Sequence, residues 1–563
     1  MNLSRAVAER AVAEAYEKLL TPIEVDEPGG VVLVSSRGEQ LASAARGVAS
    51  LDSGESLTLH AAVDAGSVTK IVTGLAVAIL EEEGALSPAT RLRDVLPEFP
   101  AYGDPLRLEH LLCQESGLRN YFGLLYYRAG WHPRLSPSPD EVFEALCRVG
   151  SLSFEPGSQY QYCDSNYFLL ARIVERITGK RFGVFAQSRI LDRLGMRDSY
   201  FTDLPSRERK RAEGYVNYAI DFESPYKLRE IDSPRTAFQP VCLDYDHVGA
   251  EGLCTSAHDL ALLAKHTLFP LLVSAETMRE RVLRAPRVRS DGFGYGYGLN
   301  VGTYRGRRFI GHDGSIWGYS ASVAVLPDDE LEIVALSNRD NLGAWDLRDA
   351  VLDALGIGED GTAAPKPSAR RVAPPTRPWK HLLGRYLDPS TPGSHVELVQ
   401  REGGPALVIS GGRPADLDWV DSTTLQSLDG EWTVVVSPRE GEQPSIGVRR
   451  AGGAAGRFEP FSTARGREVF REYEGEYSCQ ELATTFVVEA TESGIRLTNR
   501  DPRRPSMDLD YAPTVRDYFW SRDPYVDLVE LRFIRKNDAI RSFVYRGGRE
   551  DLRFLRASGD AER

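Results

Sequence analysis

A proline-rich break over Gly358–Pro378 constrains this 563-residue chain more than any other feature. Pro365, Pro367, Pro374, Pro375 and Pro378 stand there with almost no large apolar residue between them, which is linker composition. A proline cannot continue a helix interior or a central strand, so no core element runs through the break. The chain must fold as separate bodies on either side, and the two sides read differently.

Downstream of the break the pattern has period 2. His395-Val396-Glu397-Leu398-Val399, Trp432-Thr433-Val434-Val435-Val436 and Leu528-Val529-Glu530-Leu531-Arg532-Phe533 read as strands, with turn signals roughly every 8–12 residues. Gly384-Arg385-Tyr386 opens one run of strands and Gly475-Glu476-Tyr477 opens another. The expectation is two similar small antiparallel β-barrels, over 379–465 and 466–563, joined to the upstream body by the linker 358–378.

Upstream, residues 1–357 mix both periods. Residues 5–20 read as an amphipathic helix, Gly30–Val34 as a strand, and Glu39 to about Val48 as its returning partner. A long helical middle follows. Ser320–Leu326 and Leu331–Leu336 form a hairpin, and Leu347–Leu355 a closing helix that would pack on the same sheet as the first helix. Strands at both ends around a helical middle predict one α/β domain over 1–357, an antiparallel sheet with a helical region.

Composition excludes some functions. Lys and Arg number 68 against 81 Asp and Glu, a net charge of −13. That argues against nucleic acid and against anionic membranes as partners. No apolar run approaches the ~20 residues that cross a bilayer. The start, Met1-Asn2-Leu3-Ser4-Arg5, shows no apolar segment of a secretory signal. Cys113, Cys147, Cys163, Cys242, Cys254 and Cys479 form no C-x-x-C pair and no zinc-ligand spacing, so they read as reduced thiols of a cytoplasmic protein, with no metal and no cofactor expected.

The chemistry is concentrated at Gly66-Ser67-Val68-Thr69-Lys70, which opens an apolar helix through Leu80. A Ser and a Lys three residues apart lie on one helix face, one turn apart. Ser67 would stand at the helix N-terminus, where backbone N–H groups favour a developing alkoxide. A lysine held against an apolar helix loses hydration, which favours the neutral amine, a base. A second copy of the spacing, Ser224-Pro225-Tyr226-Lys227, contains a proline in a polar stretch and reads as chance. A Ser–Lys pair needs a second proton-handling group and donors for an oxyanion. Tyr162 follows the Phe154-Glu155-Pro156-Gly157 turn and precedes a helix, so its phenol can face a cleft. His312 lies in Gly311-His312-Asp313-Gly314, read as an edge strand whose glycines, Gly314 among them, admit a substrate backbone.

In this order, Ser67-x-x-Lys70, Tyr162-Cys163-Asp164 and His312-Asp313-Gly314 resemble the three motifs of the penicillin-recognising serine hydrolases: class C β-lactamases, DD-peptidases and related esterases. Ser116-Gly117-Leu118-Arg119 and Tyr295-Gly296-Tyr297-Gly298 add to the likeness, which covers about 30–350. Within that family the pattern and the two-barrel tail are similar to bacterial D-aminopeptidases. The resemblance implies a serine β-lactamase/DD-peptidase-like α/β catalytic domain followed by two β-barrels. It implies Ser67 as nucleophile, Lys70 as its base, Tyr162 as proton donor to the leaving amine, and His312 in place of the third-motif lysine. The N–H groups of Ser67 and Ser315 would form the oxyanion hole. Asp164 stands where the family has Asn; Asp164, or Asn166 two residues on, would help to hold substrate, together with Gly314 and, from a tail loop, Asp523. The implied activity is release of N-terminal D-amino acids from peptides or amides. The alternatives are an esterase of the same fold, and a DD-carboxypeptidase or peptide cyclase acting at a C-terminal D-residue. The expected partners are a small peptide, amide or ester, with a homodimer left open.

Overall fold

The computed structural model describes residues 4–129, 137–204, 211–216, 219–220, 228–229, 238–241, 245–289 and 291–357, and then the strands and tight turns of two barrels between 382 and 557. The chain divides into two compact units, which exchange near residue 363.

The first unit is built on a seven-stranded sheet. In chain order the elements that build this sheet and carry the site are α1 (Arg5–Ala15), β1 (Gly30–Ser36), β2 (Glu39–Arg46), α2 (Thr69–Glu82), α3 (Asp164–Thr178), α4 (Ala257–Leu268), β3 (Phe293–Gly296), β4 (Leu299–Tyr304), β5 (Arg307–Ile316), β6 (Tyr319–Leu326), β7 (Leu331–Ser337) and α5 (Ala344–Ala354). The sheet order is β3-β4-β5-β6-β7-β1-β2, and every pairing is antiparallel. The N-terminal hairpin completes the sheet beside the last strand, with Gly30 opposite Ser337. Val31, Val32, Leu33 and Val34 are all buried. Helices cover both faces of the sheet, so an inner strand reads as a continuous apolar run rather than an alternation. On one face α1 and α5 share a core with the strands: Ala8, Ala11 and Val12 meet Leu347 and Val351 over Val32, Val34, Ala324 and Ile333.

The other layer holds the residues between β2 and β3. Helix α2 is buried along nearly its whole length, Thr69 through Glu81, as expected for a helix apolar all round. Two glycines set how closely it packs. A Cβ on Gly74 would stand 2.0 Å from the Tyr297 carbonyl oxygen, and one on Gly298 would stand 2.1 Å from the Lys70 carbonyl oxygen. Gly298 also has φ +81°, open to glycine at no steric cost. The glycine-rich stretch at β3 and β4 is thus where the sheet meets the helix that begins after Ser67.

Strand β5 is interior in the sheet order, but only its first half is paired on both sides: β4 pairs with β5 from Arg307 to Gly311, while β6 continues along it to Ile316, so His312 stands on a free edge as the sequence suggests. From His312 onward β5 has no ladder partner on the β4 side, and this half faces the turn that carries Ser67.

The second unit contains two closed barrels of eight antiparallel strands each. One runs from Gly384–Leu387 to Ala455–Pro460 and the other from Gly475–Cys479 to Glu550–Arg556. The expected repeat carries a shared bond. The buried Tyr386 phenol donates to the Leu382 carbonyl at 2.6 Å, and the buried Tyr477 phenol donates to the Tyr473 carbonyl at 2.9 Å, four residues back in both cases. Among the described residues no helix is long and apolar enough to cross a membrane.

Candidate active site

Ser67 lies in a single 3-10 turn, Gly66–Val68, that leads into α2. Two glycines bring this turn against β5. A Cβ on Gly314 would stand 2.0 Å from the Ala65 carbonyl oxygen and 3.0 Å from the Ser67 nitrogen, and one on Gly66 would meet the Ser315 backbone at 3.0 Å. Gly314 was read as making room for substrate; what it admits in the structure is the nucleophile's own turn. The same contact brings the backbone of Ser315 beside that of Ser67, two N–H groups on adjoining segments.

Lys70 is fully buried and saturated. Its Nζ donates to Ser67 Oγ at 2.9 Å and to the Ala250 carbonyl at 2.9 Å, and it pairs with Asp164 Oδ1 at 2.7 Å. An ammonium has three protons to donate, and three acceptors stand here. The surroundings of this lysine are therefore not the apolar surface that the sequence suggests; α2 supplies the apolar packing, and its first turn meets a carboxylate and a carbonyl. The Ala250 carbonyl is delivered by the Gly249–Gly252 loop, where Gly249 (φ +111°) and Gly252 (φ +104°) adopt backbone that side chains disfavour, and where Thr73 Oγ1 donates to the Gly249 carbonyl at 2.8 Å.

Asp164 is the first residue of α3 and sits directly after Cys163, whose extended backbone starts the helix. Asn120 Nδ2 donates to Asp164 Oδ2 at 2.9 Å, so the carboxylate is held from both sides. It was read as a substrate-holding residue; it is the partner of Lys70. Asn166 is corrected as well. It is fully buried, accepts from Ser116 Oγ at 2.6 Å and donates to Gln114 Oε1 at 2.5 Å, so it braces a loop and does not face the cleft. Gln114 also accepts from the Cys163 N–H at 2.9 Å, and its carbonyl accepts from the Gln161 N–H at 2.9 Å. This one side chain and backbone thereby fix the segment on both sides of Tyr162.

The Tyr162 ring lies 4.9 Å from Lys70 Nζ. It packs edge-on against Tyr295 with centroids 5.8 Å apart, and is tilted against His312 at 6.0 Å. His312 is buried, and both of its ring nitrogens are engaged. Nδ1 lies 2.6 Å from the Asp313 carbonyl, which can only accept, so this nitrogen carries the proton; Nε2 then accepts from the Tyr295 hydroxyl at 3.0 Å. Burial first, and the charge of Lys70 second, push His312 down to about 4, so the imidazole is neutral at pH 7. Asp313, next along the strand, faces the other way and binds Arg348 of α5 at 2.7 Å, tying β5 to the closing helix.

Behind the site lies a buried polar layer that the sequence does not reveal. Asp64 accepts from the Gly66 N–H at 3.0 Å and from the Tyr245 hydroxyl at 2.7 Å, with Arg211 at 3.5 Å. Glu251 pairs with His247 at 3.0 Å and accepts from the Tyr121 hydroxyl. These groups anchor the two segments that deliver Ser67 and the Ala250 carbonyl. Asp523 ends a barrel strand opposite Asp527, and its side chain lies outside the described residues.

Ser67, Lys70, Tyr162 and His312 thus converge at the junction of a helical region and an antiparallel sheet, which is the architecture of a penicillin-recognising serine hydrolase. Residues 9–356 match the beta-lactamase family, more than half of the chain, and the chain belongs to that family. It is similar to a D-aminopeptidase of Brucella anthropi, 28% identical over 439 residues, covering 76% of this chain and 77% of that one. It is also similar to penicillin-binding protein 4* of Bacillus subtilis, 25% identical over 369 residues, covering 64% of this chain and 79% of that one. In fold it is like the octameric penicillin-binding protein homologue from Pyrococcus abyssi, with a TM-score of 0.52 at 18% identity over 97% of this chain and 98% of that one.

Proposed function

We propose that the protein is a serine hydrolase that releases N-terminal D-amino acids from small peptides or amides through an acyl-enzyme on Ser67. The observation that carries this reading is the pairing of a Lys70-bonded Ser67 with a neutral His312 at the third-motif position. The reactive form has Lys70 neutral, its two N–H groups on Asp164 and the Ala250 carbonyl and its lone pair accepting from the Ser67 hydroxyl; Ser67 Oγ attacks the scissile carbonyl carbon and its proton passes to this amine. The ammonium so formed meets the Asp164 carboxylate and the Ala250 carbonyl. The carbonyl oxygen, now an oxyanion, is held by the N–H groups of Ser67 and Ser315. As the C–N bond breaks, the Tyr162 hydroxyl gives its proton to the leaving amine and regains one from Lys70. Water then attacks the ester, its proton returns along the same path, and Ser67 is freed with the D-amino acid.

A C-terminal carboxylate would need a fixed cation at the third motif. A neutral imidazole with both nitrogens engaged does not offer one, which disfavours the carboxypeptidase and cyclase readings. The D-aminopeptidase name of the Brucella relative supports the N-terminal reading. The esterase reading shares every residue above and is the second choice. We assign the division 1–357, 358–378, 379–465 and 466–563 to the catalytic domain, linker and two barrels. Among the described residues no disulfide joins the cysteines, which suits the cytoplasm. Light scattering reads the assembly; twice the mass of one chain would make it a homodimer.

The test is release of p-nitroaniline from D-Ala and L-Ala p-nitroanilides, set against hydrolysis of p-nitrophenyl acetate. The reading expects the D-anilide to be cleaved with at least tenfold higher kcat/KM than the L-anilide. Turnover of the ester alone would give the esterase reading instead.

A further inference from the structure

A cluster on the first unit takes no part in the chemistry above. Val63–Asp64, Leu253–Thr255 and Tyr200–Phe201 form a small three-stranded sheet with Leu253–Thr255 in the middle, antiparallel to both neighbours. The two outer strands therefore run parallel. Residues that precede them, and residues that follow the middle strand, lie at one common end. His60, Asp198 and His258 occupy those positions. One ligand-type atom from each lies within 4.8 Å of the other two.

The cluster is braced from behind. Asp259 is buried and accepts from the Asp198 N–H at 2.8 Å and from Ser199 Oγ at 2.7 Å, both on Oδ2. Its other oxygen lies 3.2 Å from His258 Nδ1. A carboxylate can only accept, so His258 carries its proton on Nδ1 and leaves Nε2 as a lone-pair donor. A carboxylate behind the far nitrogen is how metal-binding imidazoles are oriented. Asp198 is steadied in turn by Ser256 Oγ at 2.9 Å. His60 Nδ1 and Asp198 Oδ2 stand 2.8 Å apart in a hydrogen bond, which a zinc-sized ion between them would open to about 3.3 Å. The His60 and His258 rings tilt together with centroids 4.8 Å apart, an arrangement that two protonated imidazoles would resist.

The geometry points to a site for a divalent transition ion of the zinc class, held by His60 Nδ1, Asp198 Oδ2 and His258 Nε2, with water in the fourth position. Two imidazoles and a carboxylate are a donor set suited to zinc. The ion takes the place of the proton between His60 Nδ1 and Asp198 Oδ2, and that proton moves to His60 Nε2; because an imidazole ligand must be neutral, acid weakens binding. Its role is mechanical. The strand Val63–Asp64 leads directly into Gly66 and Ser67, and the ion pins its outer end to α4 and to the strand at Tyr200.

The experiment is titration of the full-length, chelator-treated protein with Zn²⁺ by calorimetry, for wild type, His60→Ala, His258→Ala and the double variant. His60 is largely exposed, so its replacement leaves the fold in place, which circular dichroism verifies. The expected result is one equivalent of Zn²⁺ per wild-type chain, a raised Tm in its presence, and at least about tenfold weaker binding in each single variant. Two results would overturn the site: no binding by wild type at 100 µM Zn²⁺, or an equivalent bound as tightly by the double variant. The readout is binding, so it stands or falls apart from the serine chemistry.

Discussion

Replacing His312 with Gln tests the neutral imidazole on which the substrate reading depends. In the folded protein this ring is pushed from its ordinary 6.5 down to about 4, chiefly by burial. Between those values the unfolded chain binds a proton that the folded chain refuses. Stability from this residue is therefore full above pH 6.5 and is lost as pH falls toward 4. Applying the two values to the interval from pH 7 to pH 5, the loss is about 2 kcal/mol, set by the rate of roughly 1.4 kcal/mol per pH unit once the unfolded form is protonated. Gln carries no titrating group but can still accept from the Tyr295 hydroxyl. Other shifted groups, such as Asp203, raised to about 6, and Glu332, raised to about 7, are common to both proteins and cancel in the difference. The assay is urea unfolding of wild type and His312→Gln at pH 7, 6 and 5. The stability of wild type minus that of the variant should fall by about 2 kcal/mol across the series. In parallel, the His312 ring proton, assigned by its absence from the variant spectrum, should not titrate between pH 8 and 5.5. A difference that stays constant with pH, or a ring midpoint between 6 and 7, would refute the reasoning and restore a cation to the third motif.

The other predictions concern the rest of the site. Ser67→Ala and Lys70→Ala should each lower kcat by about 10³ or more, because groups in one proton-transfer unit fail together; steady-state rates on the D-anilide check this. Asp164→Ala leaves the Lys70 charge buried without its carboxylate and should cost about 3–5 kcal/mol of stability, read by thermal unfolding, whereas Asp164→Asn keeps an acceptor and should cost less. Gly314→Ala places a Cβ 2.0 Å from the Ala65 carbonyl oxygen, so backbone must move; a loss of about 1–3 kcal/mol and a fall of about 10² in kcat/KM are expected, from unfolding curves and initial rates.

Much of this site is legible in the sequence because its parts are local or follow chain order. Ser67 and Lys70 are one helical turn apart, and that spacing alone brings Nζ to 2.9 Å from Oγ. The two barrels show in the period-2 runs, and the repeated Gly-x-Tyr marks the same phenol-to-carbonyl bond in each. The role of Asp164 was harder to read, since nothing in Tyr162-Cys163-Asp164 says that the carboxylate turns to Lys70. Its consequence for Asn166 was available. Two residues along an α-helix is a rotation of about 200°, so if Asp164 faces α2, Asn166 must face away. That β5 is interior up to Gly311 and an edge from His312 onward depends on how far β4 extends beside it, a property of register that the residues of β5 do not contain. His60, Asp198 and His258 come from three separate segments, and only the small sheet joins them; no ligand spacing could have shown them. The same holds for Glu251 and Asp64, whose partners His247, Tyr121, Tyr245 and Arg211 are assembled by the fold.

The central claim is that Ser67 carries the acyl group. The direct measurement is mass spectrometry of the enzyme after a fluorophosphonate has abolished its turnover, with fragmentation of the tryptic peptide Gly47–Lys70. The account predicts one adduct per chain, on Ser67, formed in step with the loss of activity and absent from Ser67→Ala. An adduct on any other serine that tracks the loss, or an enzyme labelled at Ser67 that still turns over, would contradict it.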